Sequence, residues 1–163
     1  MLLLLVETDF DIKDHGYFEA RSAFMNRRQS LELRVLVVDD SETMRRLLRS
    51  IIDSRQWVLC GEAENGSTGV KKFQELKPDL VLIDLALPDM NGIEVAHRMS
   101  SLDRSVPLVL FTVLDVEGLE SAARKAGICQ VVSKAQVWDL IKGIEIAVGQ
   151  YRRAKGQVPE ISD

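Results

Sequence analysis

Five short apolar runs recur along residues 34–150, at 34–38, 57–60, 79–84, 107–112 and 128–132, and each is followed by a segment of helical periodicity. This alternation is the strongest constraint on the fold. Successive side chains of a strand point to opposite faces, so a strand apolar at nearly every position must be covered on both. Strands of that kind separated by helices predict a doubly wound α/β domain, a parallel sheet with helices on both faces. Ser41 is a good N-cap for the first helix, where Met44, Leu47, Leu48, Ile51 and Ile52 form the apolar stripe and Glu42, Arg45, Arg46 and Arg49 the polar face. Asn65-Gly66 marks a turn before Val70, Phe73 and Leu76. Residues 88–92 carry turn chemistry and lead to Ile93, Val95, Ala96 and Met99. Leu119, Ala122, Ala123 and Ala126 form a fourth helix stopped by Gly127, and Val137, Leu140, Ile141, Ile144 and Val148 a fifth.

The 163 residues leave room for one such domain and two tails. An apolar fraction of 46% argues against intrinsic disorder of the whole. The net charge is −4 and no segment is strongly basic, so no nucleic-acid footprint is present and autonomous DNA binding is not expected. Arg152, Arg153 and Lys155 read as a solvated helix end. Cys60 and Cys129 lie inside apolar runs and read as small core residues. The opening Met1-Leu2-Leu3-Leu4-Leu5-Val6 turns acidic at Glu7, Asp9 and Asp11, unlike a secretory signal, and no run approaches the ~20 apolar residues of a membrane span. A cytoplasmic protein is expected. Residues 1–33, with Phe10, Tyr17, Phe18 and Phe24 in no clear period, are expected to be a disordered N-terminal extension, 34–150 the domain and 151–163 a C-terminal tail. Residues 1–24 are expected to be dispensable for folding, with Met25 close to the true start.

In open parallel sheets ligands bind beyond the carboxyl ends of the strands. The first strand ends at Asp39 and Asp40, the third at Asp84, the fourth at Thr112, and the fifth runs into Ser133 and Lys134. Three neighbouring carboxylates repel one another unless a cation sits among them. Oxygen-only ligands favour a hard metal, best Mg²⁺, which keeps waters that a phosphate can displace. A carboxylate can also attack phosphorus and form an acyl phosphate. Lys134 would then balance one phosphoryl oxygen and Thr112 bind another.

Taken together, residues 38–41, 82–92, Phe111-Thr112 and Ser133-Lys134 resemble the receiver domain of bacterial two-component response regulators, above all receivers that precede a helix-turn-helix output domain. The resemblance spans about residues 34–150. It implies a flavodoxin-like, five-stranded parallel sheet in the order 2-1-3-4-5. In that order the Cys60 and Cys129 strands are opposite edges, which excludes a disulfide between them. It implies Asp84 as phosphoacceptor and Mg²⁺ held directly by Asp40, Asp84 and the carbonyl of Ala86. Asp39 would orient the metal through water, and Thr112 and Lys134 would sense the phosphoryl group. The implied donor is a sensor histidine kinase or a histidine phosphotransfer protein. The implied output is contact with another protein rather than catalysis, since only 13 residues follow position 150, too few for an output domain.

Three positions depart from the family pattern. Val131 stands where an aromatic ring is common, Ala135 where a proline often follows the lysine, and Val113 where a small residue is usual. Two rival readings remain. One is a pseudo-receiver acting as a scaffold, against which the intact acidic set argues. The other is a Mg²⁺-dependent phosphohydrolase of the haloacid dehalogenase type, which needs a second Asp two residues after the nucleophile, where this chain has Ala86.

Overall fold

The computed structural model describes residues 32–113, 118–135 and 137–154. Residues 1–31, with the start at Met25, and residues 155–163 lie outside the described residues, while the domain extends past both expected boundaries: Leu33 is buried in the core and its carbonyl accepts from the Val58 amide at 2.8 Å, and residues 151–154 continue the last helix. Five parallel strands form one sheet: β1 (Arg34–Val38), β2 (Val58–Ala63), β3 (Leu80–Asp84), β4 (Leu108–Thr112) and β5 (Ile128–Ser133). Their order is β2-β1-β3-β4-β5, as the resemblance implied. The helices between and after them are α1 (Glu42–Ser54), α2 (Gly66–Leu76), α3 (Gly92–Leu102), α4 (Glu120–Lys125) and α5 (Val137–Ala154).

The continuous apolar strands arise because each strand feeds two cores. Leu36, Val38, Val81, Ile83, Leu108 and Leu110 pack on one face with Phe73, Val95, Ala96 and Met99 from α2 and α3. Val35, Val37, Leu80, Leu82, Val109 and Phe111 pack on the other with Leu48, Ile51 and Ile52 of α1 and Leu140, Ile144 and Val148 of α5. Burial of each such side chain contributes roughly 1.5–3 kcal/mol. The shortest helix, α4, is the most weakly anchored: Ala123 is its buried residue, with Ala126 just beyond it.

Side-chain oxygens cap three helices, each cap contributing about 1 kcal/mol. Ser41 accepts from the Met44 amide at 3.3 Å, Asn65 from Thr68 at 2.8 Å and Asn91 from Ile93 at 2.8 Å. Asn65-Gly66 is therefore the start of α2 rather than a separate turn. The second strand begins one residue later than its apolar run and continues three residues past it, to Ala63. As an edge strand it needs no full apolar pattern there: Leu76 covers Gly61, and Arg49 pairs with Glu62 at 2.7 Å. The last helix runs to Ala154, so Arg152 and Arg153 do sit in its final turn.

Cys60 and Cys129 are half-buried rather than fully in the core, one against each face, on the two outer strands. Both thiols are free, and they donate to the carbonyls of Val35 at 3.3 Å and Leu108 at 3.2 Å. Burial pushes both thiols up from their ordinary range.

Candidate functional site

The carboxyl ends of β1, β3, β4 and β5 bring the five residues singled out from the sequence to one rim of the sheet. One carboxylate oxygen each from Asp39, Asp40 and Asp84 lies within 4.8 Å of the others. Asp39 and Asp84 are buried and Asp40 is exposed. The Lys134 ammonium enters from the β5 end and bridges the buried pair, 2.8 Å from Asp39 Oδ2 and 2.9 Å from Asp84 Oδ2. It also lies 4.6 Å from the centroid of the Phe111 ring, within cation–π range. Its main-chain N–H donates to the Thr112 carbonyl at 2.7 Å, which fixes β5 against β4 at the rim. Thr112 ends β4 and is itself buried.

Asp39 is held at every polar atom. Its N–H donates to Ala63 at 3.0 Å, its Oδ1 accepts from the Ser41 amide at 2.7 Å, its Oδ2 accepts from Lys134, and its carbonyl accepts from Arg45 Nη1 at 2.7 Å. Asp40 is different: among the described residues its carboxylate takes part in no hydrogen bond or ion pair. The exposed acid of the pair is thus the one left open to a new ligand.

Asp84 ends β3, and burial raises its carboxyl above the usual range. The Lys134 ammonium and an N–H donated by Ala86 oppose that rise, while Asp39 adds to it. The following loop is tightly built. Ala86 bridges Asn91, and the Gly92 amide donates to Leu85 at 2.9 Å. A Cβ on Gly92 would stand 2.1 Å from the carbonyl oxygen of Asp84, so only glycine permits this approach. Across the loop Asp89 accepts from the amides of Gly66 at 2.7 Å and Ser67 at 2.9 Å and from the Ser67 hydroxyl at 2.7 Å. These bonds lower its carboxyl to about 2 and tie the loop after Asp84 to the first turn of α2.

Two residues of this rim were not marked out by the sequence. Asp89 lay in a segment read as turn chemistry. Arg45 was placed on the polar face of α1 and is instead 6% exposed, while Leu47, placed on the apolar stripe, is 38% exposed. Arg45 reaches inward because three acceptors wait there, the Asp39 carbonyl, Glu42 and Glu64. Helical spacing carries no signal for acceptors supplied by another strand. Of the three departures from the family pattern, Val113 is 75% exposed on the rim, and Val131 is half-buried against the α2–α3 core.

The donor set fits Mg²⁺: three carboxylates in one cluster, oxygen atoms only, with one carboxylate unengaged. Among the described residues no helix is long and apolar enough to cross a membrane.

Comparison with known proteins agrees with the fold. Residues 35–145 match the response regulator receiver domain. The chain is 37% identical over 94 residues to chemotaxis protein CheY of Thermotoga maritima, covering 58% of this chain and 78% of that one. It is 36% identical over 114 residues to CheY of Halobacterium salinarum, covering 68% and 94%. Among solved structures, a two-component response regulator of the LuxR family from Aurantimonas sp. superposes with a TM-score of 0.70 at 26% identity, covering 73% and 86%. With an aspartate cluster at the matching rim, this chain belongs to the response regulator receiver domains, the signalling modules of two-component systems.

Proposed function

We propose that this chain accepts a phosphoryl group on Asp84 from a phosphohistidine of a sensor kinase or phosphotransfer protein, and relays the event by protein–protein contact. The observation that carries the reading is the buried Lys134 ammonium clamped between Asp39 and Asp84 beside the unengaged Asp40. Asp40, Asp84 and the Ala86 carbonyl would hold Mg²⁺ directly, with Asp39 orienting it through water. Bound there, the metal supplies positive charge that neutralises phosphoryl oxygens and orients the group for in-line attack.

A carboxylate oxygen of Asp84 attacks phosphorus. The P–O bond forms as the P–N bond to the donor histidine breaks, and the imidazole leaves with the bonding electron pair and takes up a proton. Lys134 can then swing from Asp84 to a phosphoryl oxygen while keeping Asp39, and the Thr112 hydroxyl would bind another. Ala86 offers no general acid two residues beyond the nucleophile, so the acyl phosphate persists as a signal rather than an intermediate of rapid turnover.

The test is intact mass after incubation with acetyl phosphate and Mg²⁺. The wild type should gain one phosphoryl group, and Asp84→Asn and an EDTA-treated sample should gain none. A gain that survives either change overturns the proposal.

A further inference from the structure

The buried polar residues among those described are Asp39, Asp84, Thr112 and Arg45, and the Lys134 side chain is buried with the first three. The first three belong to the site. Arg45 is the fourth, a guanidinium taken almost wholly out of water one helical turn beyond the acidic pair. A buried cation is costly unless its donors are matched. Here they are: Nη1 donates to the main-chain carbonyl of Asp39 at 2.7 Å, and Nη2 lies 2.6 Å from Glu42 and 3.2 Å from Glu64. One side chain therefore joins the end of β1, the first turn of α1 and the segment leaving β2.

The bond to the Asp39 carbonyl has a particular consequence. That carbonyl belongs to the peptide unit joining Asp39 to Asp40. A peptide unit is planar, so fixing its oxygen fixes the orientation in which the Asp40 nitrogen and Cα leave it. Asp40 has no side-chain partner among the described residues, so its backbone alone sets the direction in which the Cα–Cβ bond carries the carboxylate. Asp39 differs, because Lys134 and the Ser41 amide hold its carboxylate independently of Arg45.

We infer that Arg45 is a positioning residue for the metal site, aiming the Asp40 carboxylate at the cation through the Asp39–Asp40 peptide. The inference rests on the reading above that Asp40 ligates Mg²⁺. The sign of the effect separates this role from two simpler ones. A nearby cation acting only through its charge repels Mg²⁺, so its removal would tighten binding. A purely structural arginine would lower stability and leave Mg²⁺ affinity alone. A positioning arginine weakens Mg²⁺ binding when lost, by roughly ten- to a hundredfold, as for other groups that orient metal ligands. Lysine keeps the charge but has no planar fork to span the carbonyl and both carboxylates, so it should not rescue.

The experiment is calorimetric titration of the metal-free full chain with Mg²⁺ alone, with circular dichroism to confirm folding. Arg45→Met and Arg45→Lys should both weaken binding at least tenfold. Arg46→Met, which removes an exposed partner of Glu42, should leave it unchanged. In an Asp40→Asn background, Arg45→Lys should add less than a threefold further loss, because the residue it aims has already been disabled. Unchanged or tighter binding in Arg45→Lys, or a full tenfold loss persisting beside Asp40→Asn, overturns the inference. If Arg45→Met does not fold, the lysine variant decides. A wild type with no saturable Mg²⁺ binding sinks the metal reading itself, and the inference with it.

Discussion

The Lys134 ammonium lies 2.9 Å from Asp84 and 2.8 Å from Asp39, a single cation bridging two buried carboxylates. Removing one partner of a buried pair leaves uncompensated charge, at a cost of about 3–5 kcal/mol. Lys134→Met should therefore be destabilised by about that amount in EDTA, measured by urea unfolding. Millimolar Mg²⁺ should recover a larger part of the loss in the variant than it adds to the wild type, since the metal supplies the missing positive charge. Equal gains from Mg²⁺ in both proteins would contradict this account.

Asp84 makes a pH prediction of definite sign. Its folded carboxyl is raised, chiefly by burial. A group with a raised folded pKa favours folding fully below its unfolded value, near 4, and that contribution is lost as pH rises through the folded value. Ionisation of Asp84 thus costs the metal-free fold stability. Asp84→Asn should melt above the wild type at pH 7 in EDTA, and the gap should close as pH falls toward 4. A gap that widens on acidification would refute the assignment.

Asp89 behaves in the opposite sense. With its carboxyl held at about 2, it stays ionised through all ordinary pH values. Its stabilising contribution is present above pH 4 and is lost as pH falls toward 2. Asp89→Asn should lower the melting temperature equally at pH 5 and pH 8. It should also broaden the amide NMR signals of residues 85–91, because the tie to Gly66 and Ser67 is weakened.

Val113 and Val131 bear on the lifetime and reach of the signal. Val113 stands exposed on the rim immediately after Thr112, and a branched side chain there is expected to hinder water more than a small one would. Val131 has no ring to exchange between inside and outside positions. We expect slow loss of phosphate and small amide shifts across residues 128–148 with beryllofluoride, and faster loss in Val113→Ala. Large shifts there, or an unchanged half-life in that variant, would count against both roles.

The sheet and its covering helices were legible because strands such as β3 and β4 are apolar at positions serving two cores. Periodicity also separated α1 and α5 from the strands. The edge strand β2 was read short because Gly61 and Glu62 break an apolar pattern that an edge does not require. Asp39, Asp40, Asp84, Thr112 and Lys134 were legible as a set because all terminate strands at one end. Arg45 was hidden because its acceptors come from β1 and from beyond β2, distances in sequence that helix spacing does not report. Asp89 was hidden because its partners sit 22 and 23 residues away on α2.

The alanine anchorage of α4 has a thermodynamic consequence. Two methyl groups and the half-buried Leu119 at its N-cap bury less area than the leucines and isoleucines by which α1 and α5 fill the opposite core, so the six-residue helix is secured by less. Regions with few buried apolar contacts open locally at low free energy while the remainder stays intact. The α4 side of the sheet is therefore the part whose partial melting asks least of the fold.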